Sequence, residues 1–237
     1  MVWVKICGIT NKEDAIITAE LGPDALGFIL STDSPRRVEP GKAYEIILAV
    51  KNRLAGFKDK EVPSFAWVFV NEEVGTVVKT AKRLGLDFIQ FSGDEKVDYM
   101  QKIRKLAVGM NIKIIKLIIV KKDISTFKTI SAQMHEFKKE ADYFLLYTCK
   151  ENIYGGTGSC FDWQIARGLS SLYPVILAGG LNSENVTGAM NIVKPFGVDA
   201  STKLEIAPGQ KDMIKVKNFI KNASGRIGED YGKSQKY

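Results

Sequence analysis

Eight short runs of apolar residues recur along the 237-residue chain, and they limit its possible folds more than any other feature. Within each run the residues are almost continuously apolar and do not alternate with polar ones. This pattern is typical of parallel β-strands that are buried on both faces. The runs are Val2–Cys7, Ala25–Leu30, Phe65–Val70, Phe88–Phe91, Ile112–Val120, Tyr143–Thr148, Val175–Ala178 and Gly197–Ala200.

Longer stretches with helix-start signals separate these predicted strands. Asn11 and Asp14 open the first stretch, and Pro40 begins the second. Asn182 is a suitable N-cap for a helix over Glu184–Val193, which would have a carboxylate in its first turn. The sequence therefore predicts eight strand–helix units in succession.

Eight such units form either a closed barrel or a large doubly wound sheet. A doubly wound sheet usually carries G-x-G-x-x-G after its first strand, whereas this chain continues with Cys7-Gly8-Ile9-Thr10. Eight-unit barrels have about 250 residues, which fits this chain. We therefore predict an α/β protein with a single (β/α)8 TIM-barrel domain over residues 1–223. We interpret residues 224–237, which are polar and lack periodicity, as a C-terminal extension.

Composition excludes several classes of protein. Apolar stretches such as Ile112–Val120 are about half of the ~20 residues needed to cross a bilayer, so we expect no membrane role. The first residues lack the pattern of a secretion signal. The three cysteines, Cys7, Cys149 and Cys160, have no C-x-x-C spacing, so neither a disulfide framework nor a zinc site follows. We expect a cytoplasmic protein with reduced thiols.

The charge balance is as compatible with small anionic ligands as it is with nucleic acid. The net charge is +7, from 34 basic and 27 acidic residues, and the basic residues are scattered. No aromatic and basic groove pattern accompanies them, so we expect no nucleic-acid partner. The single histidine, His135, lies in a polar helical stretch, and we expect it on the surface.

The loops at the carboxyl ends of the strands are where a parallel barrel places its active site. Glycine permits backbone conformations that turn amide groups toward an anion, and helix N-termini add partial positive charge. Three consecutive loops of this kind predict a phosphate site after strands six, seven and eight. They are Gly155–Gly158, Ala178–Asn182 and Asp199–Thr202.

Cys7 ends the first strand at this catalytic rim and precedes Gly8. A thiolate acts as a base or a nucleophile when nearby positive charge lowers its pKa. We expect Lys5 to point the opposite way along the strand, so that it does not activate Cys7. Cys149 and Cys160 are weaker candidates for a reactive thiol.

Several motifs together resemble the phosphoribosylanthranilate isomerase family. The resemblance runs in order from about residue 2 to residue 223, and its combination of motifs is specific. The motifs are Lys5-Ile6-Cys7-Gly8-Ile9-Thr10, Ser34-Pro35-Arg36-Arg37, Val68-Phe69-Val70-Asn71, Gly93-Asp94-Glu95, Tyr154-Gly155-Gly156-Thr157-Gly158, Phe161-Asp162-Trp163, Ala178-Gly179-Gly180-Leu181-Asn182-Ser183-Glu184-Asn185-Val186 and Gly197-Val198-Asp199-Ala200-Ser201.

The resemblance implies an isomerase of tryptophan biosynthesis that uses no cofactor and no metal. Its reaction is the Amadori rearrangement of N-(5-phosphoribosyl)anthranilate to 1-(2-carboxyphenylamino)-1-deoxyribulose 5-phosphate. In the family pattern Cys7 is the base, Arg36 contacts the anthranilate side and Asp199 orients the sugar hydroxyls. The phosphate-binding positions are Gly156, Gly158, Gly179, Gly180, Ser201 and Thr202. Whether the chain is a monomer or a homodimer stays open.

The sequence departs from the family pattern at the general acid. The family has an aspartate in a pattern like L-L-D-T, and this chain has Leu145-Leu146-Tyr147-Thr148. The catalytic acid is therefore Tyr147, and a phenol donates a proton less readily than a carboxylic acid. Asp142 lies about 17 Å away at the other end of the same predicted strand and does not replace the missing carboxylate.

Two further departures flank the site. Ser92 stands where the family usually has histidine, and Lys203 stands beside the phosphate loop, where it either strengthens anion binding or points to solvent. These changes leave two alternatives open: a degenerate barrel that binds a phosphorylated sugar without turnover, and an isomerase for a related aminosugar phosphate.

Overall fold

The computed structural model describes residues 1–30, 33–121, 126–149 and 163–225, without the side chains of residues 121, 148 and 149. Eight parallel strands close into a barrel in chain order, which confirms the predicted fold. Each strand end lies within one residue of its predicted position. The strands are β1 (Trp3–Cys7), β2 (Ala25–Ile29), β3 (Ser64–Phe69), β4 (Phe88–Phe91), β5 (Lys113–Lys121), β6 (Tyr143–Cys149), β7 (Val175–Ala178) and β8 (Gly197–Ala200).

A helix follows each strand of the barrel. The helices are α1 (Lys12–Glu20), α2 (Pro40–Leu54), α3 (Val74–Leu84), α4 (Val97–Leu106), α5 (Phe127–Phe137), α6 (Trp163–Ser170), α7 (Val186–Val193) and α8 (Met213–Ser224). A 3-10 helix (Thr202–Leu204) and an antiparallel pair, β9 (Glu205–Ala207) with β10 (Gln210–Lys211), lie between β8 and α8. The sequence analysis did not predict this pair.

The start of α7 differs from the prediction. Its N-cap residue is Asn185, so the helix begins two residues later than predicted. The Asn182 side-chain oxygen accepts hydrogen bonds from the amides of Glu184 and Asn185, at 2.9 and 3.0 Å. The prediction that Asn182 caps the helix is therefore wrong, because this side chain forms the turn that precedes it.

The C-terminal boundary also shifts by one residue. Ser224, which we assign to the extension, is the last residue of α8, and its buried hydroxyl donates to the Ile220 carbonyl at 2.8 Å. Gly225 ends the helix in the left-handed conformation. The rest of the predicted extension lies outside the described residues. His135 is exposed on α5, as predicted.

Alternate residues of each strand face opposite sides of the barrel wall. On β1, Val4 and Ile6 pack in the main core that the helices share, while Lys5 and Cys7 face the interior. The interior has an apolar layer near the amino ends of the strands, formed by Ala66, Phe88, Ile115, Leu145 and Ile176. None of the helices in the described ranges is long and apolar enough to cross a membrane.

The same carboxylate contact recurs before β2, β4 and β6. The aspartate that precedes each of these strands accepts a hydrogen bond from the second amide of the strand before it. The pairs are Asp24 with Val4 (2.7 Å), Asp87 with Phe65 (2.8 Å) and Asp142 with Ile114 (2.7 Å). Each contact satisfies a strand-end amide and holds neighbouring strands in register at the end of the barrel away from the rim.

Asp142→Asn tests this contact. Burial by itself raises the pKa of Asp142, but the Ile114 amide and the Arg104 guanidinium outweigh burial and hold that pKa below its usual range. The carboxylate therefore stabilises the fold above about pH 4, and this stabilisation is lost as the pH falls. In urea unfolding we expect Asp142→Asn to cost about 1–3 kcal/mol at pH 7 and less at pH 3.

The matched control is Asp98→Asn, because Asp98 is 70% exposed and its oxygen is 4.0 Å from Lys102. We expect the control to change stability by less than about 0.5 kcal/mol. Equal losses in the two variants, or a loss for Asp142→Asn that does not vary with pH, would contradict the interpretation.

Candidate active site

A cavity of about 490 Å³ opens at the carboxyl ends of the strands. It brings together all the predicted site residues that the structure describes. These are Cys7, Arg36, Tyr147, Gly179, Gly180, Asp199, Ser201 and Thr202. Gly156 and Gly158, which the resemblance also assigns to the phosphate, lie outside the described residues. Within the described ranges, no group of three or more His, Cys, Asp or Glu side chains is placed to hold a metal ion.

Lys5 and Cys7 lie on the same side of β1, so the prediction that Lys5 points away from Cys7 is wrong. Residues two apart on a strand share a face, and both side chains enter the barrel interior. Lys5 is fully buried, and its Nζ lies 3.0 Å from Oδ1 of Asp199, its register partner on β8. Cys7 is 5% exposed and lines the cavity.

Burial and the neighbouring charges act on the pKa of Cys7 in opposite directions. Burial raises the pKa of the Cys7 thiol, and Asp199 adds to that effect, while the charges of Lys5 and Lys211 act to lower the same pKa. Burial alone lowers the pKa of Lys5, but Asp199 and Cys7 outweigh burial, so the pKa of Lys5 lies above its usual value. Lys5 is therefore a charged ammonium inside the barrel, next to the thiol.

Two glycines provide the space for this cluster. A methyl group at Gly27 would lie 2.7 Å from Cys7 Sγ and 3.0 Å from Lys5 Cε, so both side chains pack against the bare α-carbon of Gly27. Gly8 has a φ of 78°, and a methyl group there would lie 2.8 Å from Arg36 Cδ and 2.7 Å from Ser201 Oγ. Glycine at these positions leaves room around the end of β1 for the side chains of Lys5, Cys7, Arg36 and Ser201.

Arg36 is held by a carboxylate that the sequence analysis did not identify. The Nε of Arg36 lies 2.9 Å from both oxygens of Glu205, and Nη2 lies 2.6 Å from Oε2. Lys211 donates to Glu205 Oε1 at 2.8 Å and to the Cys7 carbonyl at 2.6 Å. The β9–β10 pair therefore connects Arg36 to the backbone of Cys7 through two buried charges.

The pKa directions agree with this network of charges. Burial acts to raise the pKa of Glu205, but hydrogen bonds from Arg36 and Lys211 outweigh burial and lower it. Burial lowers the pKa of Lys211, and Glu205 only partly opposes this. The hydrogen bonds to Glu205 are the main effect that raises the pKa of Arg36. Glu205 is thus the shared anion that orients two cations beside the cavity.

Tyr147 lies on β6 and lines the cavity, with 42% of its surface exposed. Arg36 lines the same cavity. Asp142 pairs with Arg104 and the Ile114 amide at the amino end of the same strand, as its sequence position implies. Ser92 also lines the cavity, and its hydroxyl accepts a hydrogen bond from Gln90 Nε2 at 3.0 Å.

The loops after β7 and β8 have features of an anion site. Gly179 and Gly180 have φ values of 94° and 71°, which glycine adopts without strain. The Gly180 carbonyl accepts a hydrogen bond from Asn185 at 3.1 Å. Ser201 Oγ and Gln90 Oε1 are buried, line the cavity and have no hydrogen-bond partner among the described residues. A polar ligand would supply those partners. The exposed Lys203 lines the same cavity.

The comparisons with known proteins agree with this site. A family model described as N-(5'phosphoribosyl)anthranilate (PRA) isomerase matches residues 4–222. The N-(5'-phosphoribosyl)anthranilate isomerase of Geobacter sulfurreducens is 39% identical over 228 residues, covering 95% of this chain and 100% of the relative. That of Thermoanaerobacter sp. (strain X514) is 39% identical over 225 residues, covering 95% and 99%.

Solved structures give the same result. Phosphoribosyl anthranilate isomerase from Thermotoga maritima is 34% identical with a TM-score of 0.78, covering 95% of this chain and all of that one. A phosphoribosyl anthranilate isomerase in complex with reduced 1-(o-carboxyphenylamino)-1-deoxyribulose 5-phosphate is 32% identical with a TM-score of 0.76, at the same coverage. The fold and the cavity define an enzyme of the (β/α)8-barrel class. Within that class the chain belongs to the N-(5'-phosphoribosyl)anthranilate isomerase family.

Gly27→Ala tests the packing around Cys7. The added methyl group would also lie 3.1 Å from the Cys7 α-carbon, so the strand or both side chains must move. We expect a loss of about 1–3 kcal/mol in urea unfolding. The matched control is Gly41→Ala on exposed α2, where a methyl group meets nothing within 4 Å and stability stays equal or rises. A Gly27→Ala variant as stable as the native protein would contradict the close packing.

Proposed function

We propose that this chain catalyses the Amadori rearrangement of N-(5'-phosphoribosyl)anthranilate. The observation that carries the proposal is the cavity at the carboxyl ends of the strands, which places Cys7 and Arg36 beside the Gly179-Gly180 loop in a chain whose family model spans residues 4–222. The product would be 1-(2-carboxyphenylamino)-1-deoxyribulose 5-phosphate, the compound whose reduced form is named in the complex of a related enzyme.

The phosphate would bind at the loops after β7 and β8. Gly179 and Gly180 have positive φ values in the loop after β7, Ser201 Oγ is a buried hydroxyl without a partner among the described residues, and Thr202 begins the 3-10 helix. Helix N-termini and glycine-rich turns bind anions through such groups. Gly156 and Gly158 keep the phosphate role that the resemblance implies.

The other end of the substrate would bind at Arg36. A guanidinium binds a carboxylate through parallel hydrogen bonds, and the anthranilate ring carries one carboxylate. Glu205 fixes the guanidinium in the cavity wall, because it accepts hydrogen bonds from both Nε and Nη2. Asp199 would accept hydrogen bonds from the sugar hydroxyls next to Cys7.

The chemistry begins with two proton transfers. An acid protonates the ring oxygen as the sugar ring opens to a Schiff base, and a base then removes the proton from C2 to give an enolamine. We assign the base to Cys7 and the acid to Tyr147, whose position in the cavity wall on β6 is compatible with that role. The enolamine then takes a proton at C1 while its C2 hydroxyl loses one, which gives the ketone.

We also propose that the reaction takes place in the cytoplasm without nucleic-acid or membrane partners. The reduced thiols expected from the sequence support this location. For assembly we keep two possibilities, a monomer and a homodimer. A related structure is described as mutually generated monomers of dimeric phosphoribosylantranilate isomerase from Thermotoga maritima, so both states are named for that one protein.

Tyr147 variants test the proposed acid. Phenylalanine keeps the ring and removes the hydroxyl, so we expect Tyr147→Phe to lower kcat/KM by about 10²–10⁴. Tyr147→Asp restores a carboxylic acid, a better proton donor, and we expect kcat/KM at least about 10-fold above the native value. The assay generates the unstable substrate in place and follows the loss of its fluorescence.

The native protein provides the test of the function itself. Turnover by the native chain supports the isomerase, and an unchanged rate in Tyr147→Phe would remove Tyr147 from the mechanism. A native protein without turnover, with activity appearing only in Tyr147→Asp, would show that the chain binds the phosphorylated sugar without converting it. A panel of aminosugar phosphates would detect a different substrate.

A further inference from the structure

The ammonium of Lys5 is an unusual occupant of the barrel interior. The interior layer below it is apolar, and Lys5 is fully buried on β1. The groups that interact with it are the Asp199 carboxylate, 3.0 Å from Nζ, and the Cys7 sulfur. Burying a charge is costly, and an ion pair in such a place often stabilises a protein less than an apolar pair of similar volume. Stability alone therefore does not explain the charge.

A second buried lysine in the same barrel shows how a structural lysine is held. The Lys116 ammonium on β5 donates hydrogen bonds to the Gly93 carbonyl and to Glu95 Oε2, both at 2.8 Å. The carboxylate of Glu95 in turn accepts hydrogen bonds from the amides of Asn71 and Gly93. Lys116 thus fixes two loops, whereas Lys5 sits below the thiol and its ammonium has no hydrogen bond to a loop carbonyl among the described residues.

We propose that Lys5 is the positioning residue that supplies the counter-charge for the Cys7 thiolate. This inference rests on the proposed function for its catalytic consequence. In the reaction the thiolate lone pair takes the proton from C2 of the Schiff base, and the C–H electron pair forms the C1–C2 double bond. The electrons of the C–N double bond move to nitrogen, Cys7 becomes a thiol, and Lys5 keeps its proton and its charge throughout.

Several other charged groups lie around Cys7, and each of them affects the pKa that a titration of the thiol would measure. Lys5 and Asp199 face the sulfur from β1 and β8, Lys211 holds the Cys7 carbonyl from β10, and Arg36 lies beyond Gly8. The cations favour the thiolate, and Asp199 and burial disfavour it. Loss of Lys5 leaves Asp199 as an uncompensated neighbour, so both changes act in the same direction on the thiol.

The experiment measures the pH dependence of Cys7 alkylation by iodoacetamide in the full-length protein. Peptide mass spectrometry separates label on Cys7 from label on Cys149 and Cys160. We expect Lys5→Met to move the midpoint of Cys7 alkylation upward by about one pH unit or more, because a thiolate without its counter-charge forms at higher pH. Asp199→Asn removes the opposing charge and should move the midpoint downward.

The matched control is Lys116→Met, which removes an equally buried, ion-paired ammonium elsewhere in the barrel. It should lose stability and leave the Cys7 midpoint where it is in the native protein. A midpoint in Lys5→Met equal to the native one would overturn the proposal, as would equal shifts in both lysine variants. If Lys5→Met does not fold, Lys5→Gln takes its place, and an unchanged Cys7 midpoint in that variant overturns the proposal in the same way.

Kinetics separate this inference from the proposed function. Where the native protein turns over, the acidic limb of its kcat/KM profile should shift upward in Lys5→Met by the same amount as the alkylation midpoint, with KM nearly unchanged. An alkylation shift in a protein that never turns over the substrate would reject the proposed isomerase function and still support the pairing of Lys5 with the Cys7 thiolate. Turnover without an alkylation shift would reject the role of Lys5 alone.

Discussion

The closure of β8 against β1 is the constraint on which the site depends. This pairing places Lys5 directly opposite Asp199, because the first and last strands of the barrel meet in one fixed register. Both side chains point inward, where Lys5 Nζ lies 3.0 Å from Asp199 Oδ1. A shift of β1 by one residue would turn Lys5 and Cys7 toward the helices and leave the Asp199 carboxylate in the interior without its counter-charge.

The segment that follows β8 completes the same corner of the barrel. The β9–β10 pair returns the chain over the end of β1, so that Glu205 reaches Arg36 from one side and Lys211 reaches the Cys7 carbonyl from the other. At the catalytic rim, cations and a shared carboxylate therefore meet where β1 is covered by the segment that follows β8. Gly8 and Gly27 provide the space that lets these side chains meet.

The sequence predicted the strands closely, because nearly continuous apolar runs bounded by turns are a strong signal for a buried parallel sheet. The same continuity obscured which residues face inward, and Lys5 was misjudged although residues two apart on a strand share a face. That rule alone would have found its pairing with Cys7. Glu205 and Lys211 could not be assigned, because their contacts with Arg36 and Cys7 join residues 169 and 204 positions apart. Asn182 has the residue type of an N-cap, yet its side chain forms the preceding turn.

Two of the three departures from the family pattern lie on one side of the cavity, while the third, Lys203, follows β8. Tyr147 and Ser92 replace the expected aspartate and histidine on the wall formed by β4 and β6. The opposite wall retains the thiol, its two neighbouring cations and the paired arginine. Removal of a proton from carbon depends on those cations, because burial and Asp199 hold the pKa of Cys7 above its usual value. Protonation of the ring oxygen depends on a phenol, a weaker donor than a carboxylic acid.

The most direct test of this account is steady-state isomerisation by the native protein and by Cys7→Ala, with Cys149→Ala as the matched thiol control. The account predicts turnover by the native protein and the control, and a loss of about 10² or more in kcat/KM for Cys7→Ala. A Cys7→Ala protein that converts the substrate as fast as the native one would contradict the assignment of the base, and with it the role given to the charges around it.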